Sequence, residues 1–154
     1  MIAVLQRVKK AAVTADGVPT GACRQGFVIL LGVLDGDTAE EARLLAEKIA
    51  KFRIFSDEND KMNLSLGDIG GEVLIVSNFT LGANYSHGNR PDFMASAHPT
   101  VAEPLYEHFV ALMRERVAHV ATGVFGADMS IDMVADGPVT VVMDSEKLKK
   151  RKSV

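Results

Sequence analysis

The sequence predicts a single α/β domain with two main helices. A chain of 154 residues is the size of one domain and is long enough to bury a substantial core. Short apolar runs rich in β-branched residues alternate with two segments whose apolar residues recur at helical spacing. The hydrophobic fraction of 47% and the charged fraction of 24% are ordinary for a globular protein.

The bulk composition limits the classes of function. A formal net charge of −3 gives no overall attraction to nucleic acid. The single cysteine, Cys23, excludes an internal disulfide. No apolar run reaches the length of a membrane span, and the first residues lack the pattern of a signal peptide. We therefore expect a cytoplasmic protein with no membrane partner.

The first third of the chain predicts strands. Residues 2–8 and 11–15 are rich in aliphatic residues and are each expected to form a strand. Asp16 and Gly17 are typical of a turn, after which residues 20–23 are expected to pair back. The continuous apolar run at 27–34 predicts a central strand that is buried on both faces.

Two segments predict amphipathic helices. Thr38 and Glu41 have the spacing of a capping box at the start of the first helix. The second helix is predicted over 99–117, with Pro99 and Pro104 in its first turns, where proline is tolerated. The apolar stripe of the first helix comprises Ala42, Leu45, Ala46, Ile49 and Phe52.

Between and after the helices the sequence predicts three more strands. Residues 56–71 are polar and contain glycine, and we expect them to form a surface loop. Residues 72–79 predict a buried strand that ends in polar residues, which is a common place for a functional site. Residues 129–134 and 139–143 predict the last two strands.

The stretch between these last strands permits two interpretations. Asp136-Gly137 is typical of a turn, which predicts a plain surface turn. Pro138 removes an amide donor where the second strand would begin pairing, which is unusual for a hairpin. The alternative is that Gly137 and Pro138 present backbone carbonyls, which can accept hydrogen bonds from an ammonium group.

Most common catalytic and cofactor motifs are absent from the sequence. The four histidines have no metal-ligand spacing, and no phosphate-binding glycine motif is present, so we expect no metal and no cofactor. Ser77 is not in a nucleophile elbow, and Thr80 has no evident base. Cys23 has no evident group that would lower its pKa.

Two polar motifs, taken together, resemble a known family. Ser77-Asn78-Phe79-Thr80 precedes Asp136-Gly137-Pro138-Val139-Thr140 by about sixty residues, which resembles the D-aminoacyl-tRNA deacylase family. The resemblance covers nearly the whole chain. Its further motifs are Gln6-Arg7-Val8, Arg53-Ile54-Phe55-Ser56-Asp57, Lys61-Met62-Asn63, Arg90-Pro91-Asp92-Phe93 and Thr122-Gly123-Val124-Phe125-Gly126-Ala127-Asp128-Met129. The chain departs from the family pattern at Asn78, where glutamine is usual, and at Ala135, where asparagine is usual.

The resemblance implies a curved, mostly antiparallel sheet or partial barrel, in a homodimer with a cross-subunit active site. It implies hydrolysis of the ester between a D-amino acid, or glycine mischarged on tRNA(Ala), and the tRNA 3′ end, with rejection of L-aminoacyl-tRNA. Gly137 and Pro138 would form a cis-peptide motif that excludes the L side chain. Arg7 would hold that motif in place, with Thr140 as a supporting residue.

The resemblance also implies roles for the residues of the site. Ser77, Asn78, Phe79 and Thr80 would position the ester, and the 2′-hydroxyl of the terminal adenosine would help to activate water. Thr80 as a direct nucleophile is the alternative. Ala102, Phe125 and Met129 would face the adenosine, although each also fits an ordinary core position.

The domain is expected to span 1–144, followed by a basic, disordered tail over 145–154. Two other functions stay open at this point. One is a tRNA-end binder with little catalysis, and the other is a related deacylase that removes mischarged L-amino acids.

Overall fold

The long first strand organises a mixed, six-stranded sheet. In the computed structural model, which describes residues 1–150, β1 (Ile2–Ala15) pairs antiparallel with three other strands. These strands are β2 (Val18–Cys23), β3 (Gly26–Gly32) and β8 (Met129–Asp144). The first half of β1 pairs with β3 and its second half pairs with β2, while β8 follows β1 along nearly its full length.

Two parallel strands extend the sheet toward closure. β6 (Glu72–Ser77) runs parallel to β3, and β7 (Val120–Thr122) runs parallel to β6. The Thr20 hydroxyl of β2 donates to the Thr122 carbonyl of β7 at 3.3 Å, which brings the two ends of the sheet together. The predicted fold, a single α/β domain with a curved sheet or partial barrel and two main helices, is confirmed.

Both predicted helices are present and contact each other. α1 (Ala39–Lys51) and α3 (Pro99–Arg114) bury their apolar faces in the same core as one face of the sheet. The two prolines of α3 lie in its first two turns, as expected. No helix among residues 1–150 has the length and hydropathy needed to cross a membrane. The largest fully buried side chains of this core include Phe27, Ile29, Leu45, Ile49 and Phe109.

The segment at 56–71, predicted to be a loop, contains short regular elements. Phe55–Ser56 (β4) and Met62–Leu64 (β5) form a small antiparallel pair, and Leu66–Ile69 forms a one-turn helix, α2. The Phe55 ring packs against Phe27 at a centroid distance of 5.0 Å. Because Phe55 belongs to β4, this contact holds the β4–β5 pair against the core.

The two predicted hairpin turns near the chain ends have different outcomes. Asp16 and Gly17 do connect β1 to β2, as predicted. The interpretation of 134–140 as a plain turn is wrong, because the residues before and after it both pair with β1 rather than with each other, and the strands predicted at 129–134 and 139–143 are one strand, β8. The prediction of two strands at 2–8 and 11–15 is also wrong, since both belong to the single strand β1.

The C-terminal segment is ordered further than predicted. Ser145–Leu148 forms a 3₁₀ turn, in which the Asp144 carboxylate accepts from the Glu146 amide at 3.0 Å. The Lys149 ammonium lies 2.9 Å from a Glu41 carboxylate oxygen of α1. A disordered tail beginning at residue 145 is therefore wrong for this part, and residues 151–154 lie outside the described residues.

The capping box of α1 is confirmed and carries a buried charge. The Glu41 carboxylate accepts from the Thr38 amide at 2.7 Å and from the Thr38 hydroxyl at 2.6 Å. Burial by itself raises the pKa of Glu41, but the hydrogen bonds from Thr38 and Lys149 outweigh it and lower this pKa to about 2. The helix start thus depends on an ionised carboxylate.

We expect Glu41→Gln to lower the free energy of unfolding by about 1–3 kcal/mol at pH 7, because the charged hydrogen bonds and the ion pair are lost. A folded-state pKa of about 2, below the unfolded value near 4.5, stabilises the fold fully above about pH 4.5 and progressively less toward pH 2. Urea denaturation should therefore show the difference between variant and wild type shrinking over that range. Glu103→Gln, on the exposed face of α3, is the control. A pH-independent difference would contradict this account.

Candidate active site

A cavity of about 890 Å³ opens beside the polar end of β6. Ser77, Asn78, Phe79 and Thr80 all line it. The strand end that the sequence nominated is therefore at a concave, mostly apolar surface, which is the usual form of a small-molecule or substrate-end site.

The strand end reaches the cavity because β6 stops pairing there. The Asn78 amide donates to the Leu31 carbonyl of β3 at 2.8 Å, and the chain then turns into a 3₁₀ helix at Phe79–Gly82. Phe79 is consequently 61% exposed. Its ring meets the ring of Phe93 edge to face, at a centroid distance of 5.1 Å.

Asn78 and Thr80 are linked to each other. The Thr80 hydroxyl donates to the Asn78 Oδ1 atom at 2.5 Å. This hydrogen bond leaves the Asn78 Nδ2 group as a donor with no protein partner among residues 1–150. The amides of Phe79 and Thr80, at the start of the 3₁₀ helix, likewise have no hydrogen-bond partner in the described chain. The strand end therefore presents several hydrogen-bond donors and no general base.

The opposite wall of the cavity is largely apolar. Ala102 and Tyr106 of α3 line it together with Phe125 and Met129. The Tyr106 hydroxyl donates to the Ile75 carbonyl at 2.9 Å, and burial raises the pKa of this phenol to about 12. Tyr106 is thus a fixed neutral donor that holds α3 against β6. Its proton therefore stays in place near neutral pH.

Phe125 and Met129 combine two roles that the sequence left open. Both line the cavity, and both also pack against buried core residues. The Met129 sulfur lies so close to Gly123 that a Cβ atom there would overlap it. The core and pocket interpretations of Met129 are therefore compatible.

The Gly137-Pro138 segment does not line this cavity. Gln6 pairs with Thr140 and Val8 pairs with Ala135, so one residue of β1 faces four residues of β8, 136–139. Residues 136–139 leave the ladder as an enlarged bulge, in which Gly137 and Pro138 are exposed. The Gly137-Pro138 peptide bond is cis.

Arg7 is the residue of β1 opposite the bulge, and its side chain contacts the bulge at Asp136. Arg7 is buried, and its Nη1 group donates to the Ile54 carbonyl at 2.7 Å. Its Nε atom lies 3.2 Å from Asp136 Oδ2, although Nε makes no well-directed hydrogen bond within the described residues. We attribute this contact to charge attraction. Arg7 therefore holds the bulge electrostatically, from a position within the barrel wall.

Thr140 and Gln6 fasten the other end of the bulge. The Thr140 hydroxyl donates to Gln6 Oε1 at 2.6 Å, and Gln6 Nε2 donates to the Val139 carbonyl at 3.2 Å. The side chains that the sequence grouped into one site thus fall into two places in one subunit: the cavity, and the bulge with its anchors Arg7 and Thr140.

Comparison with known proteins assigns the chain to a family. The model of one family, described as D-Tyr-tRNA(Tyr) deacylase, matches residues 4–144. The chain belongs to the D-Tyr-tRNA(Tyr) deacylase family. This match includes the strand end, the cavity walls and the bulge.

Relatives agree over the full length of the domain. The D-aminoacyl-tRNA deacylase of Thermus aquaticus is 54% identical over 147 residues, which cover 96% of this chain and 97% of the relative. That of Chloroflexus aurantiacus is 54% identical over 149 residues, with 97% and 93% covered. A solved structure titled c-Myc DNA Unwinding Element Binding Protein is 37% identical, with a TM-score of 0.88 over 94% of this chain and 98% of that one.

The two departures from the deacylase family pattern have different positions. Asn78 lies in the cavity, where its side chain is oriented by Thr80. Ala135 lies at the edge of the bulge, where it is exposed and its backbone pairs with Val8. Only the departure at 78 changes a group that faces the cavity.

Sequence reasoning did not nominate several residues of the cavity wall. His98, Phe93 and Tyr106 line it but were not nominated. His98 caps α3, since its Nδ1 atom accepts from the Thr100 amide at 3.2 Å. The proline that follows it, at the first helical position, was a usable signal for a capping residue. The position of Phe93 depends on how its loop folds back, which local sequence does not reveal.

The cavity and bulge contain no evident metal or thiol chemistry. Among residues 1–150, no group of three or more His, Cys, Asp or Glu side chains could hold a metal ion. Cys23 is buried at the end of β2, and burial together with the nearby charge of Glu72 raises the pKa of its thiol to about 11. Such a thiol is protonated near neutral pH and is a poor nucleophile.

Gly137 is required by the geometry of the bulge. Its φ angle is +115°, and a Cβ atom there would lie 2.8 Å from both the amide nitrogen and Cγ2 of Val139. Gly36 is a matched control, because its φ is +87° but nothing lies within 4 Å of its Cβ position.

We expect Gly36→Ala to lower the free energy of unfolding by about 1 kcal/mol, through backbone strain alone. Gly137→Ala should cost about 2 kcal/mol or more, because the same strain is joined by the collision with Val139. Urea denaturation of both variants measures the difference. Equal losses of unfolding free energy in the two variants would mean that the bulge accommodates an added Cβ atom without a collision with Val139.

Proposed function

We propose that this protein hydrolyses the ester that joins a D-amino acid to the 3′ end of tRNA, releasing the free amino acid and tRNA. The observation that carries the proposal is the cavity at the Ser77–Thr80 strand end, where unpaired donors are present and no histidine or carboxylate is hydrogen-bonded to Thr80 among the described residues. An aminoacyl ester is activated, so positioning and hydrogen-bond donors are sufficient for its hydrolysis. Relatives at 54% identity are named D-aminoacyl-tRNA deacylases.

The donors at the strand end suit the transition state of ester hydrolysis. Water attacks the carbonyl carbon, and negative charge develops on the carbonyl oxygen before the ribose oxygen leaves. Asn78 Nδ2 and the free amides of Phe79 and Thr80 would donate to that oxygen. Ser77, at the end of β6, would position the ester from the same wall.

The proton of the attacking water has no protein acceptor in this proposal. The Thr80 hydroxyl already donates to Asn78, and no histidine or carboxylate is hydrogen-bonded to Thr80. We propose that the 2′-hydroxyl of the terminal adenosine orients the water, accepts its proton as the water attacks, and passes its own proton to the departing 3′ oxygen, so that the tRNA leaves with a free 3′-hydroxyl. Thr80 then has a positioning role, because it aims the Asn78 amide and attacks nothing itself.

Chiral selection is assigned to the bulge of a second copy of the chain. Gly137 and Pro138 are exposed and lie outside the cavity of their own subunit, so they are available to a partner's cavity in a homodimer. β8 also exposes Met133, Val134 and Val142, apolar side chains that a subunit interface would cover. In that arrangement the backbone carbonyls would accept from the substrate ammonium and obstruct an L side chain.

A wall made of backbone selects by shape and not by side-chain identity. It rejects an L side chain through collision and leaves space for many different D side chains, which is discrimination by steric exclusion. Glycine has no side chain to exclude, so the same site would also hydrolyse glycine mischarged on tRNA(Ala). The function is therefore proofreading in translation, consistent with the cytoplasmic location expected from the sequence.

Purified protein should cleave D-Tyr-tRNA at least about 100-fold faster than L-Tyr-tRNA, with glycyl-tRNA(Ala) also cleaved. Release of labelled amino acid measures all three rates. Equal cleavage of the D and L esters would remove the chiral function and favour a general deacylase. Cleavage of none of the three would favour a tRNA-end binder.

If the site needs a residue from each subunit, its activity depends on dimer formation, and the same assay can test this by dilution. Activity per subunit should fall as the protein is diluted through the dissociation of its dimer, with sedimentation measuring the oligomeric state at each concentration. Full activity of the monomer would contradict a site completed by the partner.

The assigned role of Thr80 predicts that Thr80→Ala retains substantial activity, with kcat/KM on D-Tyr-tRNA reduced about tenfold, since only the aim of the Asn78 amide is lost. Asn78→Ala should lose more, because an oxyanion donor disappears.

A substrate ending in 2′-deoxyadenosine should react at least about 100-fold more slowly with wild-type protein. Complete inactivity of Thr80→Ala, combined with normal cleavage of the deoxy substrate, would instead identify Thr80 as the nucleophile.

A further inference from the structure

A loop at the rim of the cavity has features that ester hydrolysis does not require. Segment 83–95, which we call the rim loop, begins immediately after the 3₁₀ helix Phe79–Gly82 and ends just before Ser96. Phe79 and Ser96 both line the cavity, and the Ser96 hydroxyl donates to the Phe79 carbonyl at 2.6 Å. Both ends of the rim loop are therefore attached to the wall that positions the ester.

The base of the rim loop is closed by paired hydrogen bonds. The Asn84 amide donates to the Asp92 carbonyl at 2.8 Å, and the Asp92 amide donates to the Asn84 carbonyl at 3.0 Å. The side chains of the same two residues are linked at 3.2 Å. The base of the loop is thus closed before any ligand binds, which lowers the entropic cost of binding.

The rim loop places its apolar side chains in solvent. Tyr85 is 82% exposed and Met94 is 86% exposed, the two highest values among the exposed large hydrophobic residues of the described chain. Neither packs against the core clusters. An exposed aromatic on an ordered loop beside a substrate cavity indicates a ligand that covers it.

The charged groups of the rim loop are suited to an anion. Arg90 is exposed and forms no ion pair among residues 1–150. The neighbouring Asp92 carboxylate already accepts from Asn84 Nδ2 and from the Met94 amide, each at 3.2 Å. The loop therefore combines a free guanidinium with an aromatic ring, the pair of groups that binds phosphates and bases of single-stranded nucleic acid.

We infer that the rim loop binds the single-stranded nucleotides that precede the terminal adenosine of tRNA, with Tyr85 stacking on a base and Arg90 contacting the phosphate backbone. This inference rests on the proposed function. When the aminoacyl ester lies at Ser77–Thr80, the preceding nucleotides must leave the cavity across its rim. Stacking and phosphate contacts are tolerant of base identity, so the loop would strengthen binding of every tRNA.

Two substrates separate this role from a contribution to the cavity. D-Tyr-tRNA has the preceding nucleotides, whereas the 3′-O-D-tyrosyl ester of adenosine has none. Tyr85→Ala should reduce kcat/KM on D-Tyr-tRNA about tenfold or more, mainly through KM, and leave the adenosine ester unaffected. Tyr85→Phe should restore the rate on tRNA, because the ring and not the hydroxyl is required.

Arg90→Ala should also weaken only the tRNA reaction, and should make the slope of log KM against log salt smaller by about 0.7. Met62→Ala and Lys61→Ala are matched controls: both residues are exposed, on or beside the strand β5, and line no part of the cavity. They should leave both substrates unchanged.

Three results would overturn the inference. A fall of similar size on both substrates would mean that the loop only supports the cavity. No fall on either substrate would mean that the loop contacts no nucleotide. Dissociation of the dimer by Tyr85→Ala, measured by sedimentation, would assign the exposed ring to a subunit contact.

Failure of the proposed function would be distinguishable, because the wild-type protein would then cleave neither substrate. Fluorescence anisotropy with a single-stranded RNA ending in CCA tests the rim loop in that case as well. Tyr85→Ala should weaken binding of this RNA about tenfold, and equal binding by variant and wild type would overturn the inference.

Discussion

The antiparallel pairing of β1 with β8 is the constraint on which the Gly137-Pro138 bulge depends. β1 has partners along both edges, with β2 and β3 on one side and β8 on the other. Because β8 pairs with β1 both before and after residues 136–139, those four residues cannot close a hairpin and must leave the ladder. The bulge at Gly137-Pro138 is thus imposed by the sheet. Arg7 and Gln6, which hold it, come from the same strand that causes it.

The cavity depends on a different part of the same sheet. The parallel pairing of β3 with β6 places the end of β6 at the edge of the core, where its last residues turn outward. α3 closes the other side, with Tyr106 hydrogen-bonded to the β6 backbone. The residues of the strand end are therefore positioned by the sheet and by α3.

The chemistry is shared unevenly between side chains and backbone. At the strand end, one side-chain amide and two backbone amides are unpaired donors among the described residues, and the Thr80 hydroxyl already donates to Asn78. At the bulge, the exposed groups belong to a glycine and a proline, so recognition there would fall to carbonyls. This division explains why sequence motifs for nucleophiles and bases were absent while the motifs that did occur were short and polar.

The sequence by itself determined the two main helices and the polar end of β6. Helical spacing and the Thr38–Glu41 pair located α1, and the change from aliphatic to polar residues located the end of β6. These signals are local, since capping and burial patterns depend on neighbours within a few positions. The motifs also pointed to Ser77–Thr80 as a unit, and all four residues do line one cavity.

Only the tertiary structure decided how distant segments meet. Asp136-Gly137 has the local signature of a turn, and it became a bulge because β1, more than a hundred residues away in the chain, pairs with both of its flanks. The packing of the sheet and loops also places Arg7 and Gly137 away from the cavity of their own subunit. The same packing brings Phe93 and His98 into the cavity wall. Local sequence encodes conformational preference, but strand pairing is a choice among distant partners, and burial of the whole core makes that choice.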